Sequence, residues 1–289
     1  MKILGNTLKW AGIMGCAAIL ATPATSLAAD AAPAAPVSPH TVTANVGVVN
    51  NYVFRGLTQT WDKPALQGGI DYAHASGIYA GLWASNISDK QYADGWSEID
   101  LYAGYNGKFT DDWTWTVGLY GYLYPGANYM DFKPVAGADQ KYNTLEGNFG
   151  IGYKWVSAKV SVALTDFAGY NVKTGFDDDS KGSTYWDLTA NVPLPEAIFT
   201  KDVTMPLHVG YSNFTNKLAT PLLSGATNPD YADYKIGLAK AFDGGFSLSA
   251  AYLYADNSRY YDNTASAKGG TDTRNLGGSN FVVSLLKTF

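Results

Sequence analysis

The chain has 289 residues and a formal net charge of −5; 16% of its residues are charged, 14% are aromatic, and it holds 31 glycines and 21 tyrosines. An ordinary soluble domain carries about 25% charged residues, and a helical membrane protein needs several runs of about 20 apolar residues, none of which occurs beyond residue 30. Composition argues against both classes, and an acidic chain without a basic run offers no surface for nucleic acid.

The N-terminus reads as an export signal. Lys2 and Lys9 form a basic start, Trp10 to Leu20 an apolar stretch, and Ser26-Leu27-Ala28-Ala29 a small-residue cleavage site. Residues 1–29 are expected to be removed as a signal peptide. Cys16, the only cysteine, lies within them, so the exported chain would hold neither a disulfide nor a thiolate. Residues 30–40, DAAPAAPVSPH, read as an Ala/Pro-rich leader, and residues 41–289 as the folded unit.

From Thr41 onward, apolar and polar residues alternate in segments of roughly nine to fourteen residues. In the first, TVTANVGVVNNYVF, one face carries Val42, Ala44, Val46, Val48, Tyr52 and Phe54. The other carries Thr43, Asn45, Asn51 and Arg55. The fifth opposes Trp113, Trp115, Val117 and Leu119 to Thr114, Thr116, Tyr120 and Tyr122. Twelve such segments begin near Thr41, Leu66, Ile78, Trp96, Trp113, Tyr142, Ala158, Thr184, Val203, Ala232, Phe246 and Asn280. Their connections are alternately short, as at Ser76-Gly77 or Asp243-Gly244-Gly245, and long, as at Gly56–Ala65 or Asp256–Ser279.

That sorting of connections defines the expected fold: an all-β, transmembrane, antiparallel up-and-down β-barrel of about 12 strands. Short turns would face the periplasm and long loops the exterior, with an even strand number returning both termini to the periplasm. In hydrocarbon every backbone amide must find an internal partner, so the sheet has to close. The final segment FVVSLLKTF places Phe281, Val283, Leu285 and Phe289 on one face, with Lys287 interrupting. A final Phe preceded by alternating apolar residues resembles the signal read by the bacterial outer-membrane assembly machinery. Lipids and lipopolysaccharide of the outer membrane are the other partners expected of the outer face.

Strand parity sorts the remaining side chains. Trp83, Trp96, Trp113, Trp155, Trp186 and Tyr211 suit the aromatic girdles at the two interfaces, Trp83 and Trp96 fitting either face. A basic charge on the lipid face costs about 2–4 kcal/mol at the midplane. Arg55, Asp71, Glu98, Asp100, Glu146, Lys154, Lys159, Asp187, His208 and Lys235 are therefore expected to line the lumen. Twelve strands lie between the side-chain-filled eight and the open sixteen. A narrow pore for small polar solutes follows, constricted by the loop Pro125–Lys141, with an occluded barrel as the other possibility.

Chemistry is thinly represented. The three histidines are His40 in the leader, His74 beside Ser76 near a short turn, and His208, which shares a face with Ser212 but has no evident acid to orient it. In GFDDDSKG, Gly175 to Gly182, Lys181 takes a calcium-ligand position and Leu188 the place of the bidentate Glu. A solvated loop is expected there, with no catalytic residue, metal or cofactor.

The stretch Asn45 to Asn86 resembles the signature of the TorF family, proteobacterial outer-membrane proteins assigned as porins. The pieces that carry the resemblance are Tyr52-Val53-Phe54-Arg55-Gly56, Thr58-Gln59-Thr60, Pro64-Ala65, Gln67-Gly68-Gly69, Asp71-Tyr72, Ser76-Gly77, and Trp83 with Ser85-Asn86. Glu98-Ile99-Asp100 and Tyr124-Pro125-Gly126 extend it, whereas the long loops are particular to this chain. The resemblance implies an outer-membrane barrel acting as a porin. Within it, Arg55 would stand at the outer end of the first strand, either facing the pore mouth or paired with Asp71. The expected function is passive diffusion of small hydrophilic solutes; the alternatives are a closed structural or adhesive barrel with ligand-binding extracellular loops, and an outer-membrane lipid-modifying enzyme.

Overall fold

Alternating sequence makes a stable strand where both faces have a use, one against an apolar and one against a polar medium. In the computed structural model, which describes residues 38–133, 138–222 and 224–289, the twelve segments form twelve antiparallel strands. These are β1 (His40–Val49), β2 (Ala65–His74), β3 (Ile78–Asn86), β4 (Ser97–Lys108), β5 (Trp113–Leu123) and β6 (Thr144–Tyr153). They continue with β7 (Val156–Ala163), β8 (Thr184–Pro193), β9 (Val203–Asn213), β10 (Tyr231–Phe242), β11 (Phe246–Ala255) and β12 (Gly278–Thr288). Each begins within two residues of the position read from the sequence. The expected signal peptide and most of the leader lie outside the described residues.

Each strand pairs with the next, and β12 pairs with β1, so the sheet is a closed barrel with no free edge. The closing seam runs from Asn45 opposite Thr288 to Val49 opposite Ser284. Side-chain and terminal groups lengthen it at both ends. The Phe289 N–H donates to the Ala44 carbonyl at 2.8 Å. At the other end, Asn50 Nδ2 donates to the Phe281 carbonyl at 3.0 Å, and Asn50 Oδ1 accepts from the Val283 N–H at 2.7 Å. The Asn50 amide thus stands in for one residue of ladder.

The outer surface is apolar along every strand: Val42, Ile70, Leu82, Leu101, Val117, Phe149, Leu188, Ile236 and Val283 all point away from the lumen and are exposed. Rings gather toward its two ends. Trp113 and Tyr153 meet at 4.7 Å beside the short turns, and Trp186 stands opposite Tyr211 near the long loops. On the inner wall, tyrosines lie over glycines of neighbouring strands. A Cβ on Gly104 or Gly118 would run into Tyr79, one on Gly81 into Tyr102, and one on Gly210 into Tyr185. Rings laid flat on such glycines cover bare backbone and stiffen the wall.

The first strand departs from the sequence reading. It stops at Val49, whereas the alternation continues to Phe54. The Asn50 N–H still donates to the Val283 carbonyl at 3.2 Å and its side chain makes the next two bonds to β12, so the backbone beyond Asn50 is free to turn inward. Tyr52 and Phe54, expected on the lipid face, are instead inside, packed edge-on against Trp83 at 5.4 Å and Tyr122 at 5.5 Å. Trp83, which the sequence left open to either face, points into the lumen by the alternation of β3, between exposed Leu82 and the next outward position. Trp96, Trp113, Trp155, Trp186 and Tyr211 are exposed.

Candidate functional site

Residues 50–64 enter the barrel as a miniature hairpin in which Val53 pairs with Thr58 and Phe54 with Leu57. Arg55 and Gly56 form its two-residue turn with φ of 46° and 78°, the left-handed pair that a tight hairpin favours. Gly56 is required twice over. Its φ suits glycine, and a Cβ there would stand 2.6 Å from the Asp233 Cβ and 2.8 Å from that of Ala255.

The turn delivers Arg55 to the far wall. Its Nη1 and Nη2 donate to the two carboxylate oxygens of Glu146 at 2.9 and 2.7 Å, with only 9% and 3% of the two side chains exposed. Such a fork-on-fork pair is the strongest hydrogen-bonding arrangement available to these side chains. The guanidinium also lies over the Tyr185 ring at 4.1 Å and beside Phe54 at 4.8 Å. Glu146 belongs to β6 and Tyr185 to β8, each five strands from β1 around the ring in opposite directions. The hairpin therefore spans the lumen. Beside the ion pair, between Phe167, Ser183, Ser212 and Phe214, remains a gap of about 10 Å³, room for about one water.

Around this bridge the wall carries charge. Glu98 and Asp100 on β4 are 1% and 0% exposed; the Tyr124 hydroxyl donates to Glu98 at 3.1 Å and that of Tyr120 to Asp100 at 3.0 Å. Asp71 accepts from the Tyr102 hydroxyl at 2.6 Å. Tyr122 donates to Glu146 at 3.2 Å. Across the lumen, Tyr185 donates to Asp233 at 2.9 Å, and His208 Nε2 lies 2.9 Å from Asp233 Oδ1. His208 Nδ1 meets Thr189 at 2.9 Å and Asp187 at 3.5 Å. Lys159 and Lys235 stand in register with Asp187 and His208.

Several sequence expectations change here. Arg55 pairs with Glu146 and not with Asp71, because the hairpin carries it past the adjacent strand. Lys154 is not in the lumen: it occupies the turn between β6 and β7 with φ of 50° and pairs with Asp112 at 3.6 Å. His208 does have orienting acids, Asp187 and Asp233, contributed by the strands on either side of β9. Its ring nitrogens face those acids, Thr189 and Tyr185, not Ser212. Asp233 was absent from the sequence-derived set, although its inward parity with Lys235 would have found it.

The segment that crosses the lumen is also not the expected one. Pro125–Lys141, in its described part, joins the other long loops at the mouth. Asn128 N–H donates to Ala93, Lys133 N–H to Ala267, and the Tyr129 ring stacks on Tyr142 at 4.1 Å. Lys90 and Asp272 add an ion pair at 2.6 Å, and Lys268 pairs with Asp89. A polar cavity of about 420 Å³ opens among these loops, between Asp62, Asp262, Asn263, Arg274 and Asn280. Asp177 and Asp178 are occupied by backbone N–H groups of Lys217 and Asp179. Among the described residues no cluster of three or more His, Cys, Asp or Glu side chains is arranged to hold a metal ion.

These features define a closed, twelve-stranded antiparallel β-barrel with an apolar outer band and a charged, tyrosine-lined interior. The model of a bacterial family of unknown function, Gcw_chp, matches residues 33–289, and the chain belongs to that family. The TorF name suggested by the motif is not the one that model carries. No curated protein matches the chain. Among solved structures it is similar to the KdgM porin, with a TM-score of 0.49 at 9% identity, over 86% of this chain and 99% of that one. For the NanC porin the values are 0.48, 10%, 86% and 98%. For OprD of Pseudomonas aeruginosa they are 0.38, 12%, 86% and 66%. The fold described above rests on its own strand pairing, not on these likenesses.

Proposed function

We propose that this chain is an outer-membrane channel, a porin of the TorF type, through which small hydrophilic solutes diffuse passively without chemistry or cofactor. The observation that carries the reading is the division of one closed sheet into an apolar exterior and a lumen holding Arg55, Asp71, Glu98, Asp100, Glu146, Asp187, His208, Asp233 and Lys235. Charges so placed have no use in a packed core but can set a field across a water-filled passage. Residues 1–29 would direct export. The apolar positions Phe281, Val283, Leu285 and Phe289 would serve the assembly machinery, and the outer band would meet lipid and lipopolysaccharide.

Purified protein in a planar lipid bilayer should give discrete conductance steps, with liposome swelling reporting which solutes pass. Arg55→Ala and Asp100→Ala should move cation/anion selectivity in opposite directions. A silent bilayer would contradict the channel. The hairpin across the lumen favours a second reading, a closed barrel whose loops bind an external partner. Deleting a long loop would then abolish binding without altering permeability.

A further inference from the structure

The hairpin Val53–Thr58 is fastened unevenly. Its base is built into the wall: Asn51 Oδ1 accepts from Thr58 at 2.6 Å and Thr60 at 3.1 Å, while Asn51 Nδ2 donates to Asp62 and Asn280. Trp61 and Tyr52 are buried beside it, and the Thr58 N–H donates to the Leu276 carbonyl. Its tip is packed across the lumen, with Phe54 against Tyr122 and Arg55 over Tyr185, and its charged attachment is the Arg55–Glu146 pair. One flank rests on a smooth surface, where Val53 packs on Ala251, Leu253 and Val282. That contact is apolar and has no directional bond to break.

The groups facing the tip do not need it. Tyr122 already donates to Glu146, Tyr185 to Asp233, and His208 is held by Asp233, Asp187 and Thr189. If the tip swung back on its base, water would fill the vacated space beside polar side chains that keep their partners. Arg55 and Glu146 would exchange each other for water, and the Phe54 and Tyr122 rings would part.

We propose that this hairpin is the gate of the channel, that Asn51 and its partners form the fixed hinge, and that the Arg55–Glu146 pair is the latch; the inference rests on the channel reading above. Loss of a hydrogen-bonded charge pair of this kind shifts an equilibrium by about tenfold or more. Single-channel recording of the exported chain should show Arg55→Ala and Glu146→Gln raising the open-to-closed ratio by about that factor. The reversed pair, Arg55→Glu with Glu146→Arg, should return it toward the native value. A Val53→Cys/Ala251→Cys disulfide, which pins the flank to its seat, should hold the channel closed until a reductant is added.

Equal open-to-closed ratios in the native, unlatched and pinned proteins would overturn the gate. A further variant separates the two claims: residues 53–58 replaced by a short Gly-Ser link, its fold checked by circular dichroism and heat-modifiable migration. If that barrel folds and conducts as the native one does, the gate is wrong and the channel stands. If it folds and conducts nothing, the channel reading itself fails.

Discussion

Strands β4 to β10 present Glu98, Asp100, Tyr120, Glu146, Tyr185, His208 and Asp233 to the lumen, whereas β11 and β12 present Ser247, Ser249, Ala251, Leu253, Val282 and Ser284. The two walls enclose the same space with opposite chemistry. The small, nearly neutral wall can seat the side of a hairpin without leaving a polar group unmet, because it offers few polar groups to bury. The charged wall holds the hairpin's tip through the Arg55–Glu146 pair and the edge-on contact of Phe54 with Tyr122. Putting the seat and the anchor on opposite sides is what lets six residues span a twelve-stranded ring.

The comparison can be broken most severely by moving charge to the wrong side of the sheet. Val283→Arg puts a cation on the outer apolar face and, with that face in lipid as proposed, should cost about 2–4 kcal/mol near the midplane, read as urea unfolding in vesicles. Ser284→Arg, one residue on and facing the lumen, should cost far less. Next comes the seat itself. Leu253→Ala should lower stability by about 2 kcal/mol, while Asp71→Asn on the polar wall, where one Tyr102 bond is at stake, should cost about 1 kcal/mol. A reversed order would dissolve the distinction between the walls.

Two smaller changes sharpen it. Asn50→Ala removes both side-chain bonds to β12 and should cost about 1–2 kcal/mol. Hydrogen exchange should quicken at Val283, whose N–H loses its acceptor, and not at the middle of β5. Smallest of all is Lys90→Ala at the mouth. Hydrogen bonding to Lys90 holds the Asp272 carboxyl below its ordinary range, so in the variant that carboxyl should titrate at a higher pH by NMR. The pair is solvated, and its loss should leave the unfolding midpoint unchanged. In the native protein its contribution is present above the usual carboxylate range and is lost as the pH falls through the lowered Asp272 value.

The wall was legible in the sequence because every strand obeys one constraint, an apolar face outward and a lumen face inward, and that constraint writes itself as a period of two. Even the starts of the strands followed. What escaped were positions where a single side chain overrides the period. At Asn50 an amide substitutes for backbone, and the alternation through Tyr52 and Phe54 then belongs to a buried hairpin. The Arg55-Gly56 dipeptide carried the available clue, since a residue followed by glycine between two short apolar runs suits a tight turn. Lys154 failed in the same way, its parity broken by a two-residue turn. The partner of Arg55 could not be read at all: Glu146 lies 91 residues away and becomes a neighbour only once the ring has closed. Asp187 and Asp233 were within reach, being two strands apart with His208 between them.

The division of the sheet into a lipid face and a lumen face can be measured directly with two single-tryptophan proteins, one keeping Trp186 and the other Trp83, placed in vesicles of brominated lipid. Trp186 is exposed on the outer surface and Trp83 is packed against Tyr52 inside. Fluorescence from the first should be strongly quenched and that from the second left nearly intact. Equal quenching of both, or an unquenched Trp186, would contradict the account.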